Sequence, residues 1–207
     1  MVWLYALDIP QLNASLSAYR DAVPESRLYQ LSALPQRDRM LGLAAELLFQ
    51  RAVKRHCPGV PLPVCRDKGE NGKPYLLGCP QFHFNLSHSG LWAVCAVADV
   101  PVGVDLQQER PVSPKLSRKF TAAEQRQLQA APLEDYDRRL FDLWVEKEAY
   151  TKCTGQGLLC SFKSFEAAAP APGYSVQLVE FPAVGYHLAV CVQSEEQPPV
   201  QLLIMPS

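Results

Sequence analysis

The sequence predicts an α+β fold built from two similar α+β halves, residues 1–101 and 102–207. Two observations predict this division. A helix with an apolar face precedes short strands in each half, and Ala-Val-Cys occurs in one predicted strand of each half, at 93–95 and 189–191. Because apolar strands draw on few residue types, the repeat by itself is explained as well by chance as by duplication.

Two long helices are predicted. In residues 34–55 apolar side chains recur every three or four positions, and Pro58 ends the helix near Cys57. The second helix runs from about Asp135 to Lys152 and ends at Gly155, because glycine readily adopts the left-handed conformation that closes a helix.

Shorter signals complete the predicted order of elements. Ser113 before Pro114 is a plausible helix start, and Thr121 with Glu124 has the spacing of a capping box. The proline- and glycine-rich segment 60–80 predicts a loop with short extended pieces, and turns are expected at 87–90 and 99–101. Strands are predicted where apolar residues alternate or run on: 1–6, 82–86, 92–97, 102–107, 175–179 and 187–192.

Composition excludes several classes of protein. The 207 residues are 48% hydrophobic and 20% charged, the balance of a soluble folded protein. The net charge is -1, and without a run of like charges the chain offers nucleic acid little attraction. No stretch of 18 apolar residues is present, so we expect no membrane span.

The cysteines predict a reducing compartment. There are 7 of them, an odd number, and no two form a Cys-x-x-Cys pair. Free thiols are typical of cytoplasmic proteins, so we expect reduced cysteines and a cytoplasmic location.

Oxygen ligands for a metal ion lie on one predicted strand. Strand periodicity places Asp105 and Gln107 on the same face, about 6.6 Å apart. A carboxylate and an amide oxygen suit a hard divalent cation such as Mg²⁺. An isolated Asp-x-Gln is more often a solvated strand end.

Two further segments carry polar groups of interest. Trp144, Glu148 and Lys152 recur every four residues on one helix face, although such a Glu and Lys are usually an ordinary surface pair. Ser87 and His88 lie in a predicted turn, where a hydroxyl, an imidazole and backbone N–H groups can contact a phosphate. A single histidine in a turn is more often structural.

Taken together, these segments resemble the ordered motifs of the Sfp-type 4′-phosphopantetheinyl transferase family. The matching segments span residues 72–158 and occur in the family's order: Gly72-Lys-Pro74, Phe84-Asn-Leu-Ser-His-Ser-Gly90, Gly103-Val-Asp-Leu106, Phe120-Thr121 with Glu124, Trp144-Val-Glu-Lys-Glu-Ala149 with Lys152, and Gly155-Gln-Gly-Leu158.

The resemblance implies a fold, a substrate and a reaction. The fold would be a pseudo-dimer of two α+β halves with coenzyme A between them. The enzyme would transfer the 4′-phosphopantetheine group of coenzyme A to a serine of an apo acyl or peptidyl carrier protein and release 3′,5′-ADP. A single chain would supply both halves, so a monomer is expected.

The resemblance also implies residue roles. Asp105 and Glu148 would bind Mg²⁺, with Mn²⁺ as an alternative, and Glu148 would be the candidate base for the serine. His88 and Lys152 would contact the pyrophosphate. The adenosine 3′-phosphate would be bound by Lys73, Ser87 and one arginine, Arg37 or Arg66.

One position departs from the family pattern. Many members carry a second acid where this chain has Gln107, so Gln107 is an uncertain metal ligand. Glu124 also occupies a recurrent family position, but helix capping explains it sufficiently. Two other functions stay open: a non-catalytic coenzyme A or nucleotide-binding protein, and a Mg²⁺-dependent hydrolase of a coenzyme A-like pyrophosphate.

Overall fold

The computed structural model of the chain has two compact units, Met1–Val100 together with Pro199–Ser207, and Pro101–Pro198. It describes residues 1–69, 72–113, 115–157 and 160–206, with the backbone alone at Gln11. The named helices and strands are, in chain order, β1 (Val2–Asp8), α1 (Glu25–Ser32), α2 (Gln36–His56), β2 (Asp67–Lys68), β3 (Pro74–Tyr75), β4 (His83–Ser89), β5 (Trp92–Ala98), β6 (Val102–Gln108), α3 (Ala122–Gln129), α4 (Leu133–Thr154), β7 (Ser175–Leu178), β8 (Tyr186–Val192) and β9 (Val200–Ile204).

The first unit packs α2 against a four-stranded sheet of order β4-β5-β1-β9. Pairing is antiparallel except between β1 and β9, which run parallel. The apolar stripe predicted for the helix, including Leu48 and Ala52, is buried against this sheet. Phe49 also contacts Phe84, with ring centroids 4.7 Å apart. The helix ends at Cys57, as predicted from Pro58.

The second unit packs α4 against a three-stranded antiparallel sheet of order β6-β8-β7. Val145, Ala149 and Cys153 on the helix contact Ala189 and Cys191 of β8. The helix closes where the sequence predicted, because Gly155 has φ 70°, ψ 12° in the left-handed region.

The α+β prediction is confirmed, and the two units share one order of elements. Each contains a strand, then a long helix, then two adjacent strands, and the sheet orders β4-β5-β1 and β7-β8-β6 correspond. The two Ala-Val-Cys segments lie in corresponding central strands, β5 and β8. This correspondence favours duplication over a chance repeat.

The predicted boundaries of the halves need correction at the end of the chain. The prediction placed residues 102–207 together, but Pro199–Ser207 belong to the first unit. They do so because β9, which the sequence pattern did not reveal, pairs in parallel with β1. Long-range strand pairing of this kind leaves no local signal.

Two further predictions were wrong. Residues 87–89 are not a turn, because β4 continues through Ser89 and the chain reverses only at 90–91. The cysteines are not all reduced, because Cys57 and Cys79 form a disulfide. Cys65, Cys95, Cys153, Cys160 and Cys191 are not disulfide-bonded.

Some predictions fall partly on residues that lie outside the described ones: the helix start at Pro114, the loop at 70–71 and the motif position Leu158. Among the described helices, none combines the length and the apolar character needed to cross a membrane.

Candidate active site

The site is built where α4 crosses β6. Gly103 makes this close approach possible, because a Cβ atom there would lie 2.1 Å from the Ala149 carbonyl oxygen and 2.4 Å from the Cys153 nitrogen. No side chain fits at such distances. Alternation along β6 puts Asp105 on the same face as Gly103, so its carboxylate also faces α4.

Asp105 is paired with the lysine that the sequence singled out. The Lys152 Nζ atom lies 2.6 Å from Asp105 Oδ1 and donates a second hydrogen bond to the Val104 carbonyl oxygen at 3.1 Å. Asp105 is only 6% exposed, so it is not a solvated strand end. A buried carboxylate needs such partners to offset its lost hydration.

Glu148 lies one helical turn before Lys152 and is half-buried. Burial raises the pKa of its carboxyl group, and the negative charge of Asp105 raises it further, while Lys152 and Lys119 oppose this. The structure therefore brings Asp105, Glu148 and Lys152 into one electrostatically coupled cluster, although Asp105 and Glu148 are far apart in sequence.

Gln107 follows Asp105 on the same face of β6 and is half-buried. Its Nε2 atom donates a hydrogen bond of 3.4 Å to the Gln108 carbonyl oxygen. Among the residues that the structure describes, no group of three or more His, Cys, Asp or Glu side chains is arranged to hold a metal ion. Any metal at this cluster would therefore have two carboxylates from the protein.

A cavity of about 730 Å³ opens beside the cluster within the second unit, and both Glu148 and Lys152 line it. Three other cations line it as well: Arg118, Lys119 and Lys163. Four cations against one lining carboxylate favour a polyanionic ligand. Motif reasoning missed Arg118, Lys119 and Lys163, because nothing in their local sequence indicates what they face.

Two aromatic residues form an apolar part of the wall. The Trp144 and Phe162 rings meet edge to face with centroids 5.3 Å apart. The Lys119 Nζ atom lies 5.2 Å from the centre of the Trp144 ring, a cation–π contact.

A buried ion pair shapes the segment that carries Phe162 and Lys163. Lys147 is fully buried, and its Nζ atom lies 2.9 Å from Glu124 Oε2 and donates to the Phe162 carbonyl oxygen at 2.7 Å. Glu124 forms the predicted capping box with Thr121 and also accepts a hydrogen bond from the Ala167 nitrogen at 2.9 Å. Capping is therefore confirmed, and the same carboxylate joins three segments of the chain.

His187 is a polar group that the sequence did not predict. It lies on β8 directly opposite Gln107, with Nδ1 2.6 Å from Asp142 Oδ1 and Nε2 2.9 Å from Glu109 Oε1. Burial opposes the charged form, but the bonds to Asp142 and then Glu109 prevail and raise the pKa of His187. A histidine with a carboxylate at both ring nitrogens is best satisfied as the imidazolium.

The remaining predicted residues lie in the first unit. Ser87 is buried and His88 is exposed, both on β4, while Lys73 is half-buried in the loop before β3.

The two candidate arginines differ in their surroundings. Arg37 is exposed near the start of α2, whereas Arg66 Nη2 lies 2.9 Å from the buried Glu46 and its guanidinium lies over the Phe49 ring. Glu46 follows Arg37 by about 14 Å of helix at 1.5 Å per residue, so the carboxylate that pairs with Arg66 lies more than two helical turns from Arg37.

Comparison with known proteins finds a similar family. Residues 101–193 match the sequence model of the family described as "4'-phosphopantetheinyl transferase superfamily". Residues 101–193 are therefore similar to this superfamily.

Three bacterial 4'-phosphopantetheinyl transferases illustrate the similarity. The chain is 38% identical over 135 residues to psf-1 of Bacillus pumilus, covering 59% of this chain and 58% of that protein. It is 32% identical to an enzyme of Bacillus subtilis, with 66% and 62% covered, and 30% identical to Sfp of Bacillus subtilis strain 168, with 62% and 63% covered. The chain thus spans about three fifths of the length of the curated relatives it matches.

Proposed function

We propose that the chain transfers the 4′-phosphopantetheine group from coenzyme A to a serine hydroxyl of an apo acyl or peptidyl carrier protein. The observation that carries this proposal is the cluster of Asp105, Glu148 and Lys152 beside a cationic cavity, inside the segment that matches the transferase family. Similarity to proteins named 4'-phosphopantetheinyl transferases supports it.

The reaction balances as a displacement at phosphorus. The serine oxygen forms a bond to the phosphorus that carries pantetheine, the pyrophosphate P–O bond breaks, and 3′,5′-ADP leaves with the electron pair. The protein must accept the serine proton, hold the two reactants in line and balance the charge of the leaving group.

Glu148 is suited to take the proton. Its pKa is raised by burial and by Asp105, which makes the carboxylate a stronger base than an ordinary glutamate. Lys152, which is paired with Asp105 in this structure, lies on the cavity wall where it can also bind pyrophosphate oxygens.

Asp105 and Glu148 fit a Mg²⁺ ion as a pair of ligands. Mg²⁺ is commonly bound by one or two carboxylates, with substrate phosphates and water completing its octahedron, and Mn²⁺ accepts the same oxygens. A cation between the two carboxylates would relieve the part of the pKa shift of Glu148 that is due to Asp105, while burial, the larger cause, would still favour its role as base. When bound, the ion would supply Lewis-acid stabilisation of the pyrophosphate. We propose Gln107 as a third, weaker oxygen ligand.

For the first unit, the proposed contacts rest on the motif match and on local chemistry. His88 is exposed and so can donate a hydrogen bond to a pyrophosphate oxygen. We propose Lys73, Ser87 and one arginine for the adenosine 3′-phosphate. Arg37 is the better candidate, because Arg66 is already bonded to Glu46.

The direct test is a change in carrier mass. Apo carrier protein is mixed with the chain, coenzyme A and Mg²⁺, and its intact mass is measured. We expect a gain of one phosphopantetheine, together with release of 3′,5′-ADP. Coenzyme A cleaved without a gain in carrier mass would instead indicate the hydrolase, and bound but intact coenzyme A with several carriers would indicate the binding protein.

We further propose that the chain acts as a monomer in the cytoplasm. The Cys57–Cys79 disulfide does not support a reducing compartment, so the location rests on the free thiols alone. Labelling of thiols at cell lysis tests it: a reducing cytoplasm would reduce the Cys57–Cys79 disulfide and give 7 reactive thiols in the denatured chain. An oxidising compartment would leave 5 reactive thiols, with Cys57 and Cys79 joined.

A further inference from the structure

A second cavity, of about 500 Å³, lies wholly within the first unit. Leu7 of β1 and Leu48 of α2 line it and are almost fully buried. Leu12, Leu47 and Met205 contribute further apolar surface. A volume of 300–1,000 Å³ with mostly apolar walls is typical of small-molecule sites.

Each cavity is lined by the long helix of its unit, and Leu7, which lines the first, corresponds to Asp105, which pairs with a lining residue of the second. Leu7 pairs with Ala93 of the Ala-Val-Cys segment in β5, and Asp105 pairs with Ala189 of the Ala-Val-Cys segment in β8. Leu7 thus occupies the place of Asp105. An apolar side chain there cannot bind a cation, so the ligand of this cavity must differ from the cation proposed at Asp105.

The long helix supplies the corresponding wall in each unit. Leu47 and Arg51 line the first cavity four residues apart, as Glu148 and Lys152 line the second. The first cavity therefore has a cation on its long helix, but Leu7 and Leu47 stand where the second unit has Asp105 and Glu148.

Two cations stand at the mouth of the first cavity. Arg51 and Lys54 are exposed, three residues apart on α2, and neither is ion-paired to any residue within the described ranges. Asp21 is the acid that lines the same cavity. The balance is one positive charge at the edge of an apolar chamber, which is complementary to an anion on an apolar chain.

We propose that this cavity binds an amphipathic carboxylate, an unbranched fatty-acid anion, with its chain against Leu7 and Leu48 and its carboxylate at Arg51 and Lys54. The proposal goes beyond carrier modification and does not depend on it. Each added methylene should tighten binding about fourfold until the chamber is filled.

The experiment measures heats of binding for octanoate, decanoate and dodecanoate, below the concentrations at which they form micelles. We expect affinity to rise along the series and dodecylamine to bind at least tenfold more weakly than dodecanoate. No binding of dodecanoate, or equal binding of the amine, would overturn the proposal.

Two sets of variants at exposed positions locate the ligand. Charge reversal by Arg51→Glu with Lys54→Glu should weaken dodecanoate binding at least tenfold, and Ala22→Trp, which enlarges a side chain lining the cavity, should weaken it similarly. Lys68→Glu with Arg110→Glu is the matched control, because it makes the same change in net charge at exposed positions elsewhere. If both double variants bind alike, the cavity is not the site.

Discussion

The two units share one arrangement of helix and sheet but carry different side chains at corresponding positions. In the second, Gly103 admits the helix backbone and Asp105 faces it; in the first, the corresponding positions of β1 hold Tyr5 and Leu7. Tyr5 is 1% exposed, and its hydroxyl lies 2.8 Å from His56 Nε2. The strand order is therefore compatible with either a charged or an apolar site, and a few side chains decide between them.

Glu46 and Glu148, one on each long helix, also differ in their surroundings. Glu46 on α2 is 2% exposed and is met by Arg66 at 2.9 Å, Arg27 at 3.4 Å and the Gln50 amide at 2.9 Å. Glu148 on α4 instead has its pKa raised by burial and then by the negative charge of Asp105. A carboxylate whose charge is balanced by cations is structural. A carboxylate whose pKa is raised by burial and by a second negative charge is a candidate catalytic group.

The largest effect is expected where the helix backbone meets β6. Gly103→Ala inserts a methyl group into the backbone of α4 and should lower the free energy of unfolding by about 3–5 kcal/mol. Gly59→Ala is the control, because a Cβ there meets nothing within 4 Å. Urea denaturation measures both. If Gly103→Ala cost no more than the control, the close contact of α4 with β6 would be wrong.

Glutamate-to-glutamine substitutions in the two long helices should change the free energy of unfolding in opposite directions. Glu46→Gln leaves Arg66 and Arg27 without their counter-charge and should destabilise the fold by about 3 kcal/mol. Glu146→Gln should stabilise it at pH 8, because burial, followed by repulsion from Asp142 and Glu124, raises the pKa of Glu146 to about 7.

The pH dependence distinguishes this cause from others. Glu146 binds its proton more tightly in the folded state, so its contribution to stability falls as pH rises from about 4.5 to 7. The gain from Glu146→Gln should be about 3 kcal/mol at pH 8 and should nearly vanish by about pH 4.5. A gain that was independent of pH would contradict the charge explanation.

The smallest effect concerns the neutral position beside Asp105. Gln107→Glu adds a carboxylate on the face of β6 that bears Asp105, and we expect Mg²⁺ to bind several-fold more tightly, about 1 kcal/mol. Gln108→Glu, whose side chain leaves the opposite face, is the control. The Mg²⁺ concentration for half-maximal carrier modification measures both. Equal values would remove Gln107 from the ligand set.

Local features of the fold were predictable, and long-range ones were not. The end of α4 at Gly155 and the capping box of Thr121 with Glu124 depend on neighbouring residues, so their sequence spacing indicates them. The parallel pairing of β9 and the Cys57–Cys79 disulfide depend on residues brought together only by folding.

The site divides in the same way. Asp105, Glu148 and Lys152 were found from the motif pattern, because each lies in a segment that resembles the family. His187, with Asp142 and Glu109, unites three separate segments and has no such pattern. Lys147 lies within the helix motif 144–149, but the sequence does not indicate its burial against Glu124, which depends on tertiary packing.

The central claim is that Asp105 and Glu148 act together on one cation, and a double-mutant cycle on carrier modification tests it most directly. Asp105→Asn and Glu148→Gln should each lower kcat/KM on the order of 10³-fold at saturating Mg²⁺. The double variant should lose no more than about tenfold beyond either, since both changes disable one unit. Asp137→Asn, an exposed acid on α4, should remain active. The shared site would be contradicted if the double variant lost the product of the two single losses in kcat/KM, or if either single variant kept its activity.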